Sequence, residues 1–316
     1  MEWTAYSIRM RTRFRGITVR EGMLARGPAG WAEWSPFWDY DDPTCVPWLA
    51  AAREAAETGW PEPVRDRIRV NCTIPSVGPD AVAPIVRRSA GCRTAKVKVA
   101  APDQSLADDL ARVEAVREAV GPHGRIRVDA NGAWTVSSAI RAIEALDRTA
   151  GGLEYVEQPC AAVEDLAAVR RHVGVPIAAD ESIRLASDPL RVRELDAADL
   201  VVLKVQPLGG VAACLRIAEQ IGLPVVVSSA LETSIGLAAG VALAAALPTL
   251  PYACGLATGA LLEADVVAEP LRPVGGELSV VRPEVDPAAL TAVAADAASA
   301  ARWRERLDRV AVLAEK

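Results

Sequence analysis

Histidine is nearly missing from this sequence, and the shortage disfavours several kinds of active site. The chain of 316 residues has two histidines, His123 and His172, and each precedes a predicted strand. In a β/α protein that end of a strand lies opposite the usual active site, so we interpret both as surface residues. A Ser-His-Asp triad, a histidine-rich metal site and a histidine base are therefore disfavoured. Any chemistry has to rely on carboxylates and lysines.

Cysteine is also sparse, and its spacing matches no metal-binding motif. The six cysteines are scattered without a CxxC pair: Cys45, Cys72, Cys92, Cys160, Cys214 and Cys254. A chain long enough for a large hydrophobic core does not need disulfide bonds, so we expect buried free thiols in a reducing cytoplasm. Zinc binding is disfavoured for the same reason.

Long apolar runs and excess positive charge are missing as well. The N-terminus has no basic region followed by an apolar stretch, so we predict no signal peptide. Residues 223–230 and 235–247 are apolar but too short to span a bilayer, and we interpret the second run as a buried alanine-rich helix. The net charge of −6 offers no footprint for nucleic acid or an anionic membrane, so neither is an expected partner.

Residues 1–66 differ in composition from the rest and are predicted to form a small α+β domain. Six of the eight tryptophans are here, and we interpret them as core or interdomain packing. Three strand-like stretches and one helical stretch follow in order: residues 3–10, 18–25, 30–35 and 46–58. A polar loop at residues 11–16 separates the first two strands. The pattern favours an antiparallel sheet with one helix.

Residues 67–270 alternate short apolar runs with alanine-rich helical segments. Eight runs can be counted: 68–72, 95–99, 126–128, 153–156, 175–179, 200–203, 224–227 and 252–256. This alternation indicates a parallel sheet, and eight units in about 200 residues favour a closed (β/α)8 barrel. A doubly wound sheet is the alternative, but no GxGxxG motif follows the first strand. The segment 271–316, with a short strand and a long helix, is expected to return to the N-terminal domain.

Each predicted barrel strand ends in polar residues, and their types are not random. Along the chain these ends read Lys96-Val97-Lys98, Asp129-Ala130-Asn131, Glu157-Gln158, Asp180-Glu181, Lys204 and Ser228-Ser229. The carboxyl ends of barrel strands meet at one mouth, where the active sites of this fold lie. We therefore expect these side chains to line one site.

Three carboxylates, Asp129, Glu157 and Asp180, end three consecutive strands. Neighbouring strands are about 4.8 Å apart, so these like charges would repel one another unless a cation joins them. Oxygen ligands without His or Cys favour a hard ion, Mg²⁺ first and Mn²⁺ second. The alternative is that the carboxylates form ion pairs with four nearby cationic residues: Lys96, Lys98, Arg127 and Lys204.

Two lysines are candidates for acid/base chemistry. Lys98 and Lys204 end strands that are four apart out of eight, so they should face each other across the barrel mouth. Ammonium groups on opposite sides of one bound molecule suit proton abstraction or return from either face.

Neighbouring side chains are expected to support these residues. Lys96 shares a strand face with Lys98, and its charge should lower the pKa of Lys98 toward that of a useful base. Arg127 and Asn131 share the face of Asp129 by the same rule. We predict that Arg127 orients this carboxylate as a metal ligand.

The ordered motifs KxK, DxN, EQP, DES and KVQP resemble the muconate-lactonizing-enzyme subgroup of the enolase superfamily, and the likeness covers nearly the whole chain. This superfamily uses a lysine or histidine base with Mg²⁺ to stabilise an ene-diolate. The resemblance implies that the three carboxylates bind the metal and that Lys98 and Lys204 are the acid/base pair. It also implies that the N-terminal domain caps the barrel mouth, with residues 11–17 as a mobile lid over a small carboxylate substrate.

Within this subgroup, residues 228–236 and 255–259 are similar to the o-succinylbenzoate synthases, dehydratases of menaquinone biosynthesis. The resemblance implies that Lys98 removes the proton beside the carboxylate of 2-succinyl-6-hydroxy-2,4-cyclohexadiene-1-carboxylate, while Lys204 stabilises the developing charge. Ser229 and the backbone of Gly255 and Leu256 would contact the succinyl chain. Dipeptide epimerases of the superfamily usually carry a DxD motif at strand eight, whereas the equivalent loop here is uncharged.

Three alternative functions, two catalytic and one not, share some of these features. An N-acylamino acid racemase would use the same two lysines, one on each face of its substrate. A Schiff-base lyase would use one buried lysine as a nucleophile, but it leaves the three carboxylates unexplained. A non-catalytic binding barrel is disfavoured because the motif set has lost none of its polar positions.

Overall fold

The N-terminal region forms a three-stranded sheet and a helix. The computed structural model describes residues 1–185 and 188–315. Strands β1 (Trp3–Phe14), β2 (Ile17–Gly27) and β3 (Gly30–Trp34) form an antiparallel sheet in that order, and helix α1 (Val46–Glu57) follows. Buried and exposed residues alternate along much of β1, which places its apolar side chains in the core and leaves its arginines exposed. The predicted sheet and helix are confirmed.

The loop predicted at residues 11–16 is wrong, because β1 and β2 continue as a long hairpin. Phe14 pairs with Ile17, and the turn residues Arg15 and Gly16 have positive φ angles of 50° and 77°. Positive φ at both central positions is the geometry of a two-residue turn whose twist matches its strands. The arginines here stand at every second position, which is the period of a strand. Their high charge made the segment resemble a loop.

The first predicted barrel strand, residues 68–72, is displaced along the chain. Its first half belongs to β4 (Arg67–Arg69), which pairs antiparallel with a later strand at Glu277–Ser279. The barrel strand β5 begins at Cys72 and ends at Ile74. The apolar run is therefore divided between the two-stranded antiparallel sheet and the barrel sheet, and the division is set by which strands pair with it.

The barrel is built on a curled sheet of seven parallel strands. In both chain order and spatial order they are β5, β6 (Thr94–Lys98), β7 (Arg125–Asp129), β8 (Val156–Glu157), β9 (Ile177–Ala179), β10 (Leu200–Leu203) and β11 (Val225–Val227). Most of these residues are buried, because helices cover the outer face and side chains fill the interior. The predicted barrel-type architecture with an N-terminal α+β region is confirmed.

The eighth predicted strand, residues 252–256, is reduced to two bridges. Cys254 forms a parallel bridge with Val70, and Gly255 forms a parallel bridge with Ser228. Backbone hydrogen bonds accompany both bridges. This short segment therefore joins the two edges of the seven-stranded sheet and closes the barrel.

Eight helices lie in the barrel region of the described chain. They are α2 (Val82–Arg88), α3 (Leu106–Val120), α4 (Val136–Ala150), α5 (Val163–Arg170), α6 (Glu181–Arg184), α7 (Arg191–Glu194), α8 (Val211–Ile221) and α9 (Ser234–Ala246). Ser105 and Thr135 form capping boxes that start α3 and α4. Nearly every residue of α9 is buried, as predicted for the alanine-rich run. Among the described residues, no helix is both long and apolar enough to cross a membrane.

The C-terminal segment lies against the N-terminal region. It contains β12 (Glu277–Ser279), α10 (Pro287–Ala292) and α11 (Ala297–Ala314). The fully buried Trp303 of α11 packs edge-on against Trp34, with ring centroids 5.5 Å apart. Arg306 donates hydrogen bonds to the carbonyl oxygens of Phe37 (2.9 Å) and Tyr40 (2.6 Å). The last helix thus secures the segment that follows β3.

The cysteines are structural, as the sequence predicts. All six are free thiols in buried positions. Burial raises the pKa of the Cys45 thiol to about 11 and that of the Cys72 thiol to about 12. Burial therefore favours the neutral thiol at both positions.

Candidate active site

A cavity of about 1020 Å³ opens at the carboxyl ends of the barrel strands. Six of the predicted site residues line it: Lys96, Lys98, Asn131, Lys204, Ser229 and Gly255. The tip of the β1–β2 hairpin, residues 13–16, forms its lip, and the centre of the Phe14 ring lies 5.6 Å from Lys98 Nζ. The barrel and the N-terminal hairpin therefore enclose one space around the lysines.

The three predicted carboxylates lie side by side behind these lysines. Asp129 and Glu157 are direct partners across β7 and β8. Asp180 follows β9, two residues beyond Ala178, the partner of Glu157. All three residues are fully buried. Strand register thus brings together three acidic groups that are separated by more than 20 positions in the chain.

Lysine ammonium groups neutralise the three carboxylates. Lys96 Nζ lies 2.9 Å from Glu157 Oε1 and 3.2 Å from Asp129 Oδ2. Lys98 Nζ lies 2.6 Å from Asp129 Oδ2, and Lys204 Nζ lies 2.6 Å from Asp180 Oδ2. These are the ion pairs that the sequence offered as the alternative to a metal site.

The pKa values of the ionisable groups in this cluster shift in different directions. Burial alone would raise the pKa of Asp129, but Lys98 and Lys96 outweigh it and hold that pKa well below its usual range. Burial and the charge of Asp129 raise the pKa of Glu157 to about 7. Burial opposes the charge on Lys96, yet Glu157 and Asp129 raise its pKa above the ordinary value. The carboxylates thus favour the charged form of Lys96, whereas burial and Asp129 disfavour the charged form of Glu157.

The donor set fits a hard divalent cation. As the side chains stand, no three His, Cys, Asp or Glu residues within 1–185 and 188–315 converge closely enough to hold a metal ion. The ammonium groups of Lys98 and Lys204 contact the carboxylate oxygens instead. Both lysines have long side chains that border the cavity, whereas the carboxylates are fixed at strand ends. Three adjacent carboxylates suit Mg²⁺ or Mn²⁺, and their role as ligands stays a prediction.

Asn131 contacts both Lys98 and Asp129. Its Oδ1 accepts a hydrogen bond from Lys98 Nζ at 2.8 Å, and its backbone N–H donates to Asp129 Oδ1 at 3.1 Å. Its backbone adopts the left-handed region, with φ of 48°. Asparagine tolerates this conformation better than most residues, which explains the residue type at this position.

Arg127 lies deeper in the barrel than predicted. Its buried guanidinium donates hydrogen bonds to Tyr155 Oη (2.9 Å) and Ala253 O (2.8 Å) and pairs with Glu154. Among the hydrogen bonds and ion pairs of the described residues, none joins Arg127 directly to Asp129, and its role in orienting that carboxylate stays a prediction. Residues i and i+2 share a face of a strand but are about 6.6 Å apart along it, enough to place them in different layers.

Leu256 also points away from the cavity. It is fully buried, and a Cβ atom added to Gly240 of α9 would lie 2.6 Å from Leu256 Cδ2. Gly255 does border the cavity, where an added Cβ would lie 2.5 Å from Ser228 Oγ. A hydrogen bond between Ser229 Oγ and Thr258 Oγ1 completes this wall, which is polar but uncharged.

Arg184 belongs to the site, although the sequence analysis overlooked it. Its Nε lies 3.0 Å from Asp180 Oδ1, and its other nitrogens pair with Glu181 (2.6 Å) and donate to Tyr40 Oη (2.9 Å). Asp180 and Arg184 are four positions apart across the start of α6, a spacing that brings side chains together only if a helix forms there. The DES motif predicted a strand end but not that helix.

The use of lysine in place of arginine is a second sequence signal of the site. The chain has 35 lysines and arginines, of which only four are lysines: Lys96, Lys98, Lys204 and Lys316. Three of the four border the cavity. Lysine can lose its proton in a protein whereas arginine effectively cannot, so this concentration favours proton transfer at the site.

Glu232, just behind the Ser229 wall, makes folding stability dependent on pH. Burial, and then the charge of Glu33, raise the pKa of Glu232 to about 7 from an ordinary value of 4.5. The folded protein holds this proton more tightly than the unfolded chain, so stability falls as pH rises from 4.5 to 7 and is constant beyond. The total change attributable to Glu232 is about 3 kcal/mol.

Glu232→Gln should therefore match wild-type stability below pH 4.5 and exceed it by up to about 3 kcal/mol above pH 7. The glutamine keeps an acceptor for the Ala230 N–H, which donates to Glu232 Oε2 at 2.6 Å. Urea unfolding at pH 4.5 and pH 8 measures the difference. Glu219→Gln, on an exposed part of α8, is the control and should change neither value. Parallel pH profiles for Glu232→Gln and wild type would contradict the assignment.

Comparison with known proteins first identifies the superfamily to which the chain belongs. Residues 81–287 match the family described as Enolase C-terminal domain-like, and residues 5–56 match Enolase N-terminal domain-like. The muconate lactonizing enzyme of Pseudomonas fluorescens, solved with muconolactone, has a TM-score of 0.79 and 21% sequence identity, covering 93% of this chain and 98% of that one. The chain belongs to the enolase superfamily and has its fold, and enzymes of this superfamily are generally dependent on divalent metal ions.

Two relatives are similar over almost their whole length. The o-succinylbenzoate synthase of Thermobifida fusca is 64% identical over 307 residues, 97% of this chain and 95% of the relative. The o-succinylbenzoate synthase of Mycolicibacterium smegmatis is 55% identical over 298 residues, 94% of this chain and 91% of the relative. The chain therefore belongs to the o-succinylbenzoate synthase family of the enolase superfamily, which confirms the resemblance drawn from the motifs.

Proposed function

We propose that this protein is a carbon–oxygen lyase that dehydrates 2-succinyl-6-hydroxy-2,4-cyclohexadiene-1-carboxylate to 2-succinylbenzoate in menaquinone biosynthesis. One observation carries the proposal: Lys98 and Lys204 border a single cavity from strands four apart in the barrel, with three buried carboxylates beside them. Membership of the o-succinylbenzoate synthase family supports the choice of substrate.

The metal ion in this proposal is Mg²⁺, with Mn²⁺ as a substitute, held by Asp129, Glu157 and Asp180. When bound, it supplies Lewis-acid stabilisation of the substrate carboxylate, a contribution of several kcal/mol. Lys96 keeps Glu157 and Asp129 paired from within the barrel. Arg184 does the same for Asp180 from α6. Ion pairs with these two residues thus hold all three carboxylates in place.

Lys98 acts as both base and acid in this mechanism. It removes the proton from the carbon beside the carboxylate, and the electron pair left behind expels the hydroxyl group from the neighbouring ring carbon. Lys98 then returns the proton to the departing hydroxide, so water leaves and the ring becomes aromatic. A syn elimination needs one such group on one face. Lys204, on the other face, stabilises the negative charge of the intermediate without taking a proton.

The rival within the superfamily is an N-acylamino acid racemase, which the two lysines would also serve. Its substrate carries a nitrogen substituent on the reacting carbon, and a buried N–H needs a polar partner. The wall formed by Ser229, Gly255 and Thr258 offers hydroxyl and backbone groups but no charge. A succinyl chain on a six-membered ring suits this lining better.

Dehydration should be efficient, with kcat/KM of about 10⁴ M⁻¹s⁻¹ or above. N-succinyl amino acids should be racemised at least about 100-fold more slowly, a discrimination of roughly 2.7 kcal/mol. One preparation serves both measurements, because product ultraviolet absorbance follows dehydration and polarimetry follows racemisation. Equal or faster racemisation would replace the proposed reaction while leaving the superfamily and its motifs unchanged.

A further inference from the structure

A buried carboxylate in the N-terminal region binds the barrel wall beside the cavity. Glu33, on β3, is 3% exposed and accepts five hydrogen bonds. Its Oε1 accepts from Tyr6 Oη (2.8 Å) and Ser35 Oγ (2.7 Å), both in the N-terminal region. Its Oε2 accepts from the backbone N–H groups of Thr233 and Gly236, each at 3.1 Å, and from the Thr233 hydroxyl. One side chain thus joins the two parts of the protein.

The partners of Glu33 in the barrel are the first amides of α9. The start of a helix leaves N–H groups without helical partners, and a carboxylate there is favourable. Glu33 takes this place from about 200 positions away in the chain. A side chain on Gly236 would meet Glu33, because an added Cβ would lie 3.0 Å from Glu33 Cδ. The lack of a side chain at Gly236 therefore lets Glu33 approach the start of α9.

Arg20, on β2, holds the preceding residues of the same segment. Its guanidinium is 2% exposed and donates hydrogen bonds to the carbonyl oxygens of Leu231 (3.0 Å) and Ala230 (3.3 Å). Leu231 has a φ of 65°, a conformation that costs about 1 kcal/mol or more for a residue other than glycine. Ala230 and Leu231 both border the cavity, next to Ser229.

A third link reaches the loop that carries Lys204. Gln206 accepts a hydrogen bond from the Ser35 backbone N–H and donates one to Ser35 Oγ, each at 3.2 Å. Ser35 in turn donates to Glu33. The same buried group of polar residues therefore contacts the ends of both β10 and β11.

We propose that Glu33 and Arg20 are positioning residues, which set the shape of the cavity wall at Ser229–Leu231 from the N-terminal region and so determine how tightly the substrate is held. Neither residue is among those that line the cavity. Arg20 bonds to carbonyl groups between β11 and α9, and Glu33 bonds to Thr233 and to the first turn of α9. The identity of the substrate rests on the proposed function, whereas the control of the wall by these two residues does not.

Glu33→Gln tests this with little change in volume. All five partners of Glu33 are donors, so an amide nitrogen can face Tyr6 and Ser35, whose hydroxyls can rotate to accept, but not Thr233 and Gly236. The variant keeps its acceptor oxygen toward α9 but loses the charge that strengthens those bonds. We expect KM to rise at least ~10-fold with kcat changed less than threefold, on the scale of weakened hydrogen bonds to a charged group. Arg20→Lys should raise KM similarly, since lysine cannot reach both carbonyl oxygens.

Tyr6→Phe is the matched control. It removes a hydrogen bond to the same carboxylate, but one that Glu33 receives from the N-terminal region and not from the α9 segment. Its Tm should fall about as much as that of Glu33→Gln, while KM stays at the wild-type value. A KM increase of equal size in Tyr6→Phe would show that general loosening, and not the wall, is responsible, and the proposal would fail.

Hydrogen–deuterium exchange provides a readout that needs no turnover. In Glu33→Gln, amides in residues 228–236 should exchange at least ~10-fold faster, with the outer barrel helices unchanged. Faster exchange there in a protein that does not dehydrate the proposed substrate would reject the proposed function and keep the positioning role. Unchanged exchange in this segment, or faster exchange without any change of KM, would overturn the positioning role itself.

Discussion

Replacing Lys98 by alanine is expected to reduce the rate of dehydration by at least ~10³-fold. Lys98 Nζ borders the cavity beside Asp129 and Asn131, and the proposed syn elimination uses it twice, as base and as acid. The rate at saturating substrate, followed by product absorbance, measures the loss. Lys98→Arg is the matched variant, because it keeps a cation that cannot be deprotonated. Near wild-type turnover in either variant would show that another group removes the proton.

The same pair of substitutions, to alanine and to arginine, distinguishes the role of Lys204 from that of Lys98. Lys204→Ala should also lose ~10²–10³-fold, because the charge opposite the reacting face is gone. Lys204→Arg should recover part of this loss, since electrostatic stabilisation needs a cation but not a base. Loss of equal size in the alanine and arginine variants of Lys204 would instead assign proton transfer to it, as a racemase requires.

Removal of divalent metal should abolish turnover, and Mg²⁺ or Mn²⁺ should restore it. The physical reason is the placement of three buried carboxylates at the ends of adjacent strands, an arrangement that suits a hard divalent cation. EDTA treatment, a metal assay and re-addition of Mg²⁺ measure the effect. Full activity in a verified metal-free sample would remove the enolase-type mechanism. Borohydride with substrate should then trap a lysine adduct, as a Schiff-base lyase predicts.

Asp180→Asn should weaken metal binding and abolish turnover under the same conditions. The substitution removes a negative charge that lies between Lys204 and Arg184, so two cations are left facing each other beside the proposed ligands. Asp39→Asn is the matched control at the lip of the cavity, where the carboxylate pairs with Arg15 on the exposed hairpin tip. Titration of Mg²⁺ into both variants should leave the affinity of Asp39→Asn at the wild-type value.

The barrel and the strand-end residues of the site were predictable because they depend on short-range periodicity. A parallel barrel sends every strand toward the same mouth, so a polar residue after each apolar run can be assigned to that mouth from its position alone. This reasoning placed Lys98, Lys204 and three carboxylates, and the motif order identified the superfamily. The direct partners of Arg127 could not be predicted in this way, because two residues on one strand face can occupy different layers.

Only the tertiary structure decided which groups meet. The pairing of Lys96 with both Glu157 and Asp129 depends on strand register, and the contact of Arg184 with Asp180 depends on a helix of four residues. The sequence predicted a strand over residues 252–256, whereas the structure closes the barrel there with only two bridges, at Cys254 and Gly255. Glu33 reaches α9 across 200 positions, a contact that no local pattern encodes. Periodicity reports which side of an element is buried, whereas the partner on that side is set by how the elements pack.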